Sequence, residues 1–503
     1  MPSATSSWVR QHVQLADVVI VVPPFAHVDR PALGPHLLQA IAAEHGVSVR
    51  VAYANLQVAA RVGLDRYAAI CFGPIPALVG ERLFARAAYG LPPLGRGADR
   101  MMEMEMIVGA DEAPRVEGSF PGEEDFGLEL SELLEIESDL LLWADDFAQA
   151  LASLDLPIVG CTTMFEQNNA SVALLKRVKE LQAGVITIIG GANCEGEMAA
   201  GVASLTPAID HVFSGESDRS FPSFLERMRH GETSPRIVQG EPFFDMDGLP
   251  TPEFDEFFEQ RASLFEPDEP LLEARWLPYE SSRGCWWGQK HHCTFCGLNG
   301  EGMDFRQKKA ERVLGDLVRL SNRYSTRQFF MVDNIMPSGY FRDLIPALAE
   351  IDPPLELFYE QKSNLTLEKV IALKKAGVSS IQPGIEALST SILRRMDKGV
   401  TARQNVALLR NARAAALDLH WNLLWGFPGE ELQAYTETTE LLRYMHHLQP
   451  PKALFHISLD RFSPYFTRPD EYEISELRPL DAYHSGYPTE SEAASCAYHF
   501  VGD

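Results

Sequence analysis

The sequence predicts an α/β protein with a doubly wound parallel sheet in its first half and a partial barrel in its second. Three observations carry this prediction. Short apolar, β-branched runs closed by Pro or Gly alternate with amphipathic stretches from Val18 to His230. The alternation resumes after residue 275, with six apolar runs separated by helical spacing. The length of 503 residues exceeds one ordinary compact domain, so two or three domains are expected.

In order, Val18–Val22 is a buried-strand run closed by Pro23 and Pro24, Leu33–Glu44 has helical spacing, and 47–54 is a second strand. Strands follow at 157–163, 185–189 and 211–213, with helices at 170–181 and 220–230 between and after them. An acidic stretch interrupts the series at about 90–150. Its latter half places Leu130, Leu133, Leu134, Leu140, Leu141 and Phe147 at amphipathic-helix spacing. This first domain is placed at 1–240. Residues 241–275 form a linker rich in Pro, Phe and acids. Phe243, Phe244, Phe254, Phe257 and Phe258 require burial there, so it packs over a surface. The barrel occupies 276–466, with strands expected at 276–279, 328–332, 355–360, 379–383, 417–424 and 453–459. The tail, 467–503, is polar and weakly patterned, and is expected to be shortened.

The formal charge of −26 argues against a phosphate-gripping nucleic-acid binder. It is concentrated in two segments. Residues 101–146 carry 15 acidic side chains and one basic, and 241–280 carry 12 and two. These segments are expected either to keep a two-domain interface soluble or to meet a basic peptide at its entrance. Seven cysteines are too few for a disulfide scaffold. No apolar run approaches a membrane span or a signal peptide. A cytoplasmic protein with no membrane partner is expected.

Three cysteines stand together at Cys285, Cys293 and Cys296, on the loop after the first barrel strand. Three thiolates can hold a four-iron, four-sulfur cluster by three irons, leaving the fourth open to the amino and carboxyl groups of a methionine moiety. That suits reductive cleavage of S-adenosylmethionine. A structural zinc site with His291 or His292 as fourth ligand fits the spacing equally well. The position at a barrel strand's carboxyl end favours the cluster.

This loop resembles that of the radical S-adenosylmethionine (radical SAM) superfamily, in a long-spaced variant. The phrase Cys285-Trp286-Trp287-Gly288, followed by His292-Cys293-Thr294-Phe295-Cys296-Gly297-Leu298-Asn299-Gly300, is similar to one subfamily: peptide-maturation radical C-methyltransferases of ribosomally made natural products (RiPPs). The similarity continues through 381–386, 396–399, 421–430 and 461–466. It implies a Rossmann-like cobalamin-binding domain followed by a partial (β/α)6 radical SAM barrel.

Polar residues at successive strand ends are candidates for cofactor binding: Asp333 on the second, Glu360 and Lys362 on the third, Gln382 and Glu386 flanking the fourth, and Asn422 on the fifth. The resemblance implies S-adenosylmethionine contacts at Glu386 and near 422–426, including the turn at Gly426. Ala387 stands where a Ser often follows the fourth-strand Glu. Trp286 and Trp287 are candidates to wall the substrate channel. In the first domain the resemblance implies cobalamin loops around Thr162, Gly190, Gly191 and Gly215. The cobalt-ligating D-x-H-x-x-G pattern is incomplete, since Phe25 and Arg30 flank His27 where Asp and Gly would stand. Cobalt with no histidine ligand is therefore expected.

The resulting expectation is a cobalamin-dependent radical methyltransferase using a [4Fe-4S] cluster, S-adenosylmethionine and an external electron donor. It would C-methylate an unactivated carbon of a peptide precursor. The alternatives are a radical peptide-modifying enzyme without methyl transfer (oxidation, rearrangement or crosslinking) and a zinc-stabilised peptide-binding module.

Overall fold

The computed structural model describes residues 3–13, 16–73, 77–96, 128–266, 269–272 and 275–503. The first domain is built on six parallel strands: β1 (Val18–Val22), β2 (Val49–Tyr53), β3 (Ile158–Thr162), β4 (Ile186–Gly190), β5 (His211–Ser214) and β6 (Ile237–Gln239). Their order is β2-β1-β3-β4-β5-β6. Because side chains alternate along a strand, Val18, Ile20, Ile158 and Ile188 pack on one face with Ala42, Phe221 and Phe224. Val19, Val21, Val159, Cys161 and Ile189 pack on the other, against helices Val79–Tyr89, Leu130–Ala152 and Asn168–Leu181. Helices therefore cover both faces, as a doubly wound sheet requires.

The acidic stretch divides in two. Residues 97–127 lie outside the described residues. The remainder is the expected amphipathic helix, Leu130–Ala152, opened by a capping box between Glu129 and Glu132. It buries Leu133, Ile136, Leu140, Trp143, Phe147 and Leu151 on one stripe. Leu130, Leu134 and Leu141 are only half-buried at its margin. Glu137 faces inward and pairs with Arg82 at 3.0 Å. This helix is therefore part of the first domain's core. Strand β6 escaped the sequence reading because it has only three residues.

The linker packs down as expected, with one exception. Phe254 and Phe257 are fully buried and Phe243 and Phe258 half-buried, but Phe244 is exposed beside the Arg306 guanidinium. Helix Asp255–Ala262 seals the sheet edge at β2. Glu256 accepts from Val51 N–H at 2.8 Å, and Gln260 exchanges bonds of 2.8 and 2.7 Å with Tyr53 N–H and Val51 C=O. Unpaired edge groups are thereby satisfied.

The second domain begins with β7 (Leu277–Tyr279). A short antiparallel pair follows, β8 (Ser282–Arg283) with β9 (Arg306–Gln307), and it brackets the cysteine loop. Strands β10 (Gln328–Met331), β11 (Glu356–Glu360), β12 (Val378–Gln382) and β13 (Asp418–Leu419) extend the parallel sheet from β7 in chain order. The expected fifth strand, 417–424, is broken. Residues 420–422 leave the sheet, and β14 (Leu423–Trp425) pairs instead with β15 (Leu454–His456). Two contacts explain the break. Trp421 turns inward, donating to Gln449 C=O at 3.2 Å, and the Glu386 C=O accepts from Leu424 N–H at 2.9 Å. Asn422 therefore lies in the break and not on a strand.

The tail is more ordered than its composition suggests. Strands β16 (Leu459–Asp460), β17 (Arg478–Pro479) and β18 (His499–Val501) form a small antiparallel sheet in the order β16-β18-β17. Helices Asp481–Gly486 and Glu490–Cys496 then fold back onto the first domain. There Tyr487 OH accepts from Asn168 at 3.1 Å and Gly486 C=O accepts from Asn169 at 2.7 Å. Its apolar anchors, Tyr483, Tyr487, Cys496 and Phe500, are too sparse to produce a visible period. No helix among the described residues is long and apolar enough to cross a membrane.

Candidate active site

A cleft of about 630 Å³ separates the two domains at the carboxyl ends of their strands. Ligands of doubly wound sheets bind at this edge, where the strand order reverses. Thr162, Gly190, Gly191 and Gly215 all line it, as do Gly160 and Gly240. The facing wall comes from the barrel: Ser282, Arg283, Gly284, Asn299, Val332 and Asn334. Backbone therefore forms much of the sheet-side surface. Gly191 shows why a side chain is excluded there. Its φ is +129°, and a Cβ would collide with the Thr163 carbonyl. This glycine-lined floor fits a flat, extended cofactor with a slender tail. His27 is not among the lining residues; it pairs with Asp29 at 3.4 Å and its ring meets Phe72 edge-on.

The cysteine loop adjoins this cleft. Gly284, at φ +74°, turns tightly against the Asp304 carbonyl and delivers Cys285, whose N–H donates to Met303 C=O at 3.3 Å. Cys285, Cys293 and Cys296 are half-buried and unbridged. Burial pushes Cys296 up to about 12 and Cys293 upward; Cys296 also feels the charge of Cys293 and Cys285, and Cys293 that of Cys285. Lys398 opposes this at both thiols, and Lys362 does so at Cys293. Thiols so placed become stable thiolates when bound iron supplies positive charge. A cubane spreads its ligands over three irons, so the trio suits a cluster. The zinc alternative lacks its fourth ligand. His291 stacks on Trp287 and pairs with Asp397 at 3.5 Å, while His292 is hydrogen-bonded to Cys296 C=O at 2.8 Å. Among the described residues no three His, Cys, Asp or Glu side chains form a single-ion site.

The strand-end residues divide by role. Asp333 is 1% exposed and turned away from the lumen. It accepts from Ser281 N–H at 2.7 Å, Ser282 N–H at 2.9 Å and the Ser281 hydroxyl, and so holds the segment leading to Cys285. Burial pushes its carboxyl up to about 7. Glu360, Lys362, Glu386 and Lys398 gather near the cysteines. Lys398 pairs with Glu386 at 3.1 Å, and Lys362 donates to Lys398 C=O at 2.6 Å. Lys362 Nζ also lies 3.0 Å above the Trp287 ring, and burial lowers its pKa to about 8. Burial raises Glu360 to about 8, partly offset by Lys398. Gln382 is exposed and engages through its C=O, which accepts from Gln361 N–H at 2.8 Å. At Gly426 (φ +91°) a Cβ would collide with His456, so the glycine is required by that ring. The Glu430 carboxylate accepts from Gly426 N–H at 3.1 Å and Phe427 N–H at 2.8 Å, fixing the turn. Trp286 and Trp287 diverge, donating to Met336 C=O and Asp397 C=O respectively, with their rings perpendicular.

Sequence reasoning missed a charged junction in the cleft wall: Glu216, Asp218, Glu280 and Arg283, with Arg306 beside them. Its signal was an Arg two residues before the first cysteine of the trio. Sequence alone does not show which carboxylates such a side chain meets.

Comparison with known proteins agrees with this geometry. Residues 279–442 match the model of the radical SAM superfamily. The chain thus carries a radical SAM domain and is an enzyme, and that domain implies a [4Fe-4S] cluster and S-adenosylmethionine. An uncharacterized methyltransferase of Pyrococcus horikoshii is 24% identical over 352 residues, 66% of this chain and 72% of that protein. The solved structure of the cobalamin-dependent S-adenosylmethionine radical enzyme OxsB, with aqua-cobalamin bound, shares the fold at a TM-score of 0.61 and 14% identity. That match covers 98% of this chain but 65% of OxsB. The radical S-adenosylmethionine methyltransferase TsrM of Kitasatospora setae, with cobalamin and [4Fe-4S] cluster bound, aligns at a TM-score of 0.55 and 13% identity, covering 90% of this chain and 74% of TsrM. The α/β architecture expected from the sequence, a Rossmann-like domain followed by a radical SAM barrel, is the one observed.

Proposed function

We propose that this protein is a cobalamin-dependent radical SAM methyltransferase that C-methylates an unactivated carbon of a ribosomally made peptide precursor. The carrying observation is the glycine-lined cleft, which opens beside the three-cysteine loop and so puts two cofactor sites at one junction. When bound, the cluster, S-adenosylmethionine and cobalamin supply a carbon-centred radical and a transferable methyl group. Cys285, Cys293 and Cys296 would hold the cluster. Glu386, fixed by Lys398, would with Glu360 and Lys362 offer polar partners to the methionine and ribose groups. Thr162, Gly190, Gly191 and Gly215 would seat the corrin's tail by backbone approach. Trp287, in contact with both Lys362 and His291, would narrow access to the cysteines and so limit water. The peptide substrate is supported by the cysteine-loop phrase and the four downstream motifs, and the chemistry requires an external electron donor.

The test is anaerobic reconstitution followed by an optical spectrum and incubation with precursor peptide, S-adenosylmethionine and a reductant. The expected products are deoxyadenosine and a peptide heavier by one methylene, both lost in Cys293→Ser. Deoxyadenosine without methylated peptide, or a wild-type protein that takes up no cobalamin, would leave the radical step and remove the methyl transfer.

A further inference from the structure

Arg283 lies two residues before Cys285, and carboxylates from both domains share its guanidinium. Its Nη1 is 2.9 Å from Glu216 and 2.7 Å from Asp218, its Nη2 is 3.0 Å from the second Asp218 oxygen, and its Nε is 2.8 Å from Glu280. The Asp218 contact is the two-pronged fork that only an arginine can make. Arg306, paired with Arg283 across β8 and β9, binds Glu216 as well and donates to Phe243 C=O at 2.8 Å. The Phe243 N–H in turn donates to Glu216 at 2.8 Å. The side chains of Arg283 and Asp218 are only 13% and 5% exposed, so solvent screens this junction weakly. Burial opposes the Arg283 charge, but Glu280 and Asp218 outweigh it and raise its pKa further.

The position of this junction gives it consequence. Gly215, Glu216 and Asp218 line the cleft from the sheet side, and Glu280 and Arg283 line it from the barrel side. Gly284 separates Arg283 from Cys285 and is packed against the Asp304 carbonyl, so the connection has no slack. Without Arg283, three carboxylates would face one another across the domain boundary, with Arg306 at Glu216 and Lys308 near Glu280 to offset them.

We propose that Arg283 is a positioning residue that sets the distance between the cobalamin cleft and the cluster loop and thereby keeps radical formation coupled to methyl delivery. This rests on the function proposed above. The chemistry makes the requirement strict. Hydrogen abstraction from the substrate carbon and delivery of methyl to that same carbon must occur from two cofactors held by different domains, and a misplacement of about 1 Å can cost roughly a hundredfold in rate.

The experiment compares the reconstituted holoenzyme with Arg283→Met, Arg283→Lys and Asp218→Asn. Iron and sulfide contents are expected near wild type, and product ratios are taken on the cobalamin-loaded fraction. Deoxyadenosine released per methylated peptide should rise about tenfold or more in Arg283→Met and Asp218→Asn, and less in Arg283→Lys, which keeps the charge and loses the fork. A second, distance-sensitive readout is the relaxation of the cobalt(II) paramagnetic signal by the reduced cluster, which should weaken in the same order. An unchanged product ratio and unchanged relaxation in Arg283→Met overturn the proposal. If that variant fails to load, the same result in Asp218→Asn overturns it. A wild-type enzyme that takes up no cobalamin would refute the functional reading instead. Hydrogen exchange at 214–218 and 284–303 then tests the clamp alone: faster exchange in Arg283→Met supports it, and unchanged exchange removes it.

Discussion

Replacing Asp333 by asparagine should change how stability depends on pH, with a sign fixed by burial. The carboxyl is buried at the end of the second barrel strand, and desolvation, offset by its bonds to Ser281 and Ser282, lifts it from the ordinary 3.8 to about 7. Between those values the folded state holds a proton that the unfolded state has lost. Stability therefore falls as pH rises from about 4 to about 7, by about 1.4 kcal/mol per unit, or about 4 kcal/mol in all, and then levels. The amide introduced by Asp333→Asn cannot ionise and keeps a carbonyl oxygen for the Ser281 and Ser282 N–H groups. The variant should therefore gain on wild type across that window. Urea unfolding of the apoprotein at pH 5, 6, 7 and 8 gives the difference directly. A stability difference that stays constant with pH would refute the argument. Asp333→Ala supplies the complement. It strands three buried donors at about 1–3 kcal/mol each, and should cost stability at pH 5, where the wild-type carboxyl is still protonated, and lower iron uptake by loosening the chain ahead of Cys285.

Three further outcomes can be checked. Glu137→Ala removes the carboxylate that pairs with Arg82 and accepts from Leu94 N–H, and should destabilise the first domain by about 1–3 kcal/mol in denaturant unfolding. Gly191→Ala forces a side chain into a positive-φ position against the Thr163 carbonyl. It should cost about 1–3 kcal/mol and weaken cobalamin retention on gel filtration while leaving iron content unchanged. Cys285→Ala should abolish the cluster's visible absorbance together with deoxyadenosine formation, whereas Cys71→Ala, a cysteine remote from the loop, should affect neither.

Much of this fold was legible because burial imposes a period. The runs at Val18–Val22 and Ile186–Gly190 are apolar on both sides, as strands covered on both faces must be. The acidic helix showed through its charge because its leucines recur at helical intervals. What stayed hidden depends on long-range partners. The fifth barrel strand reads as continuous because only the contacts of Trp421 and Glu386 break it. The tail reads as irregular because its few aromatic anchors answer a surface formed by residues far earlier in the chain, such as Asn168 and Glu81. The cysteine trio was evident from spacing, and Glu360, Lys362 and Glu386 from their places at strand ends. Asp333 followed the same rule yet points into the supporting layer, a distinction set by side-chain direction that a strand-end position does not encode.

The charge distribution supports the same view of the junction. The linker's acids were expected to keep an interface soluble or to attract a basic peptide, but four of them are already engaged in ion pairs. Glu253 meets Arg319 at 2.8 Å and Arg323 at 3.0 Å, Asp255 also meets Arg323, Asp247 meets Lys309 at 3.4 Å, and Glu256 meets Arg50 at 2.9 Å. Arg319 and Arg323 lie on the first barrel helix, Ala310–Tyr324, and Lys309 caps it, whereas Arg50 lies on β2 of the sheet domain. The acidic linker is thus a seam that ties both domains to one connecting segment. Each exposed pair contributes about 0–1 kcal/mol and weakens with salt, so the seam guides docking more than it locks it. The buried fork between Arg283 and Asp218 is of a different kind, since little solvent reaches it. Moderate salt should therefore loosen the linker's outer contacts well before it disturbs the spacing of the two cofactor sites, and a methylation ratio that holds steady while hydrogen exchange at 247–256 speeds up is the expected signature.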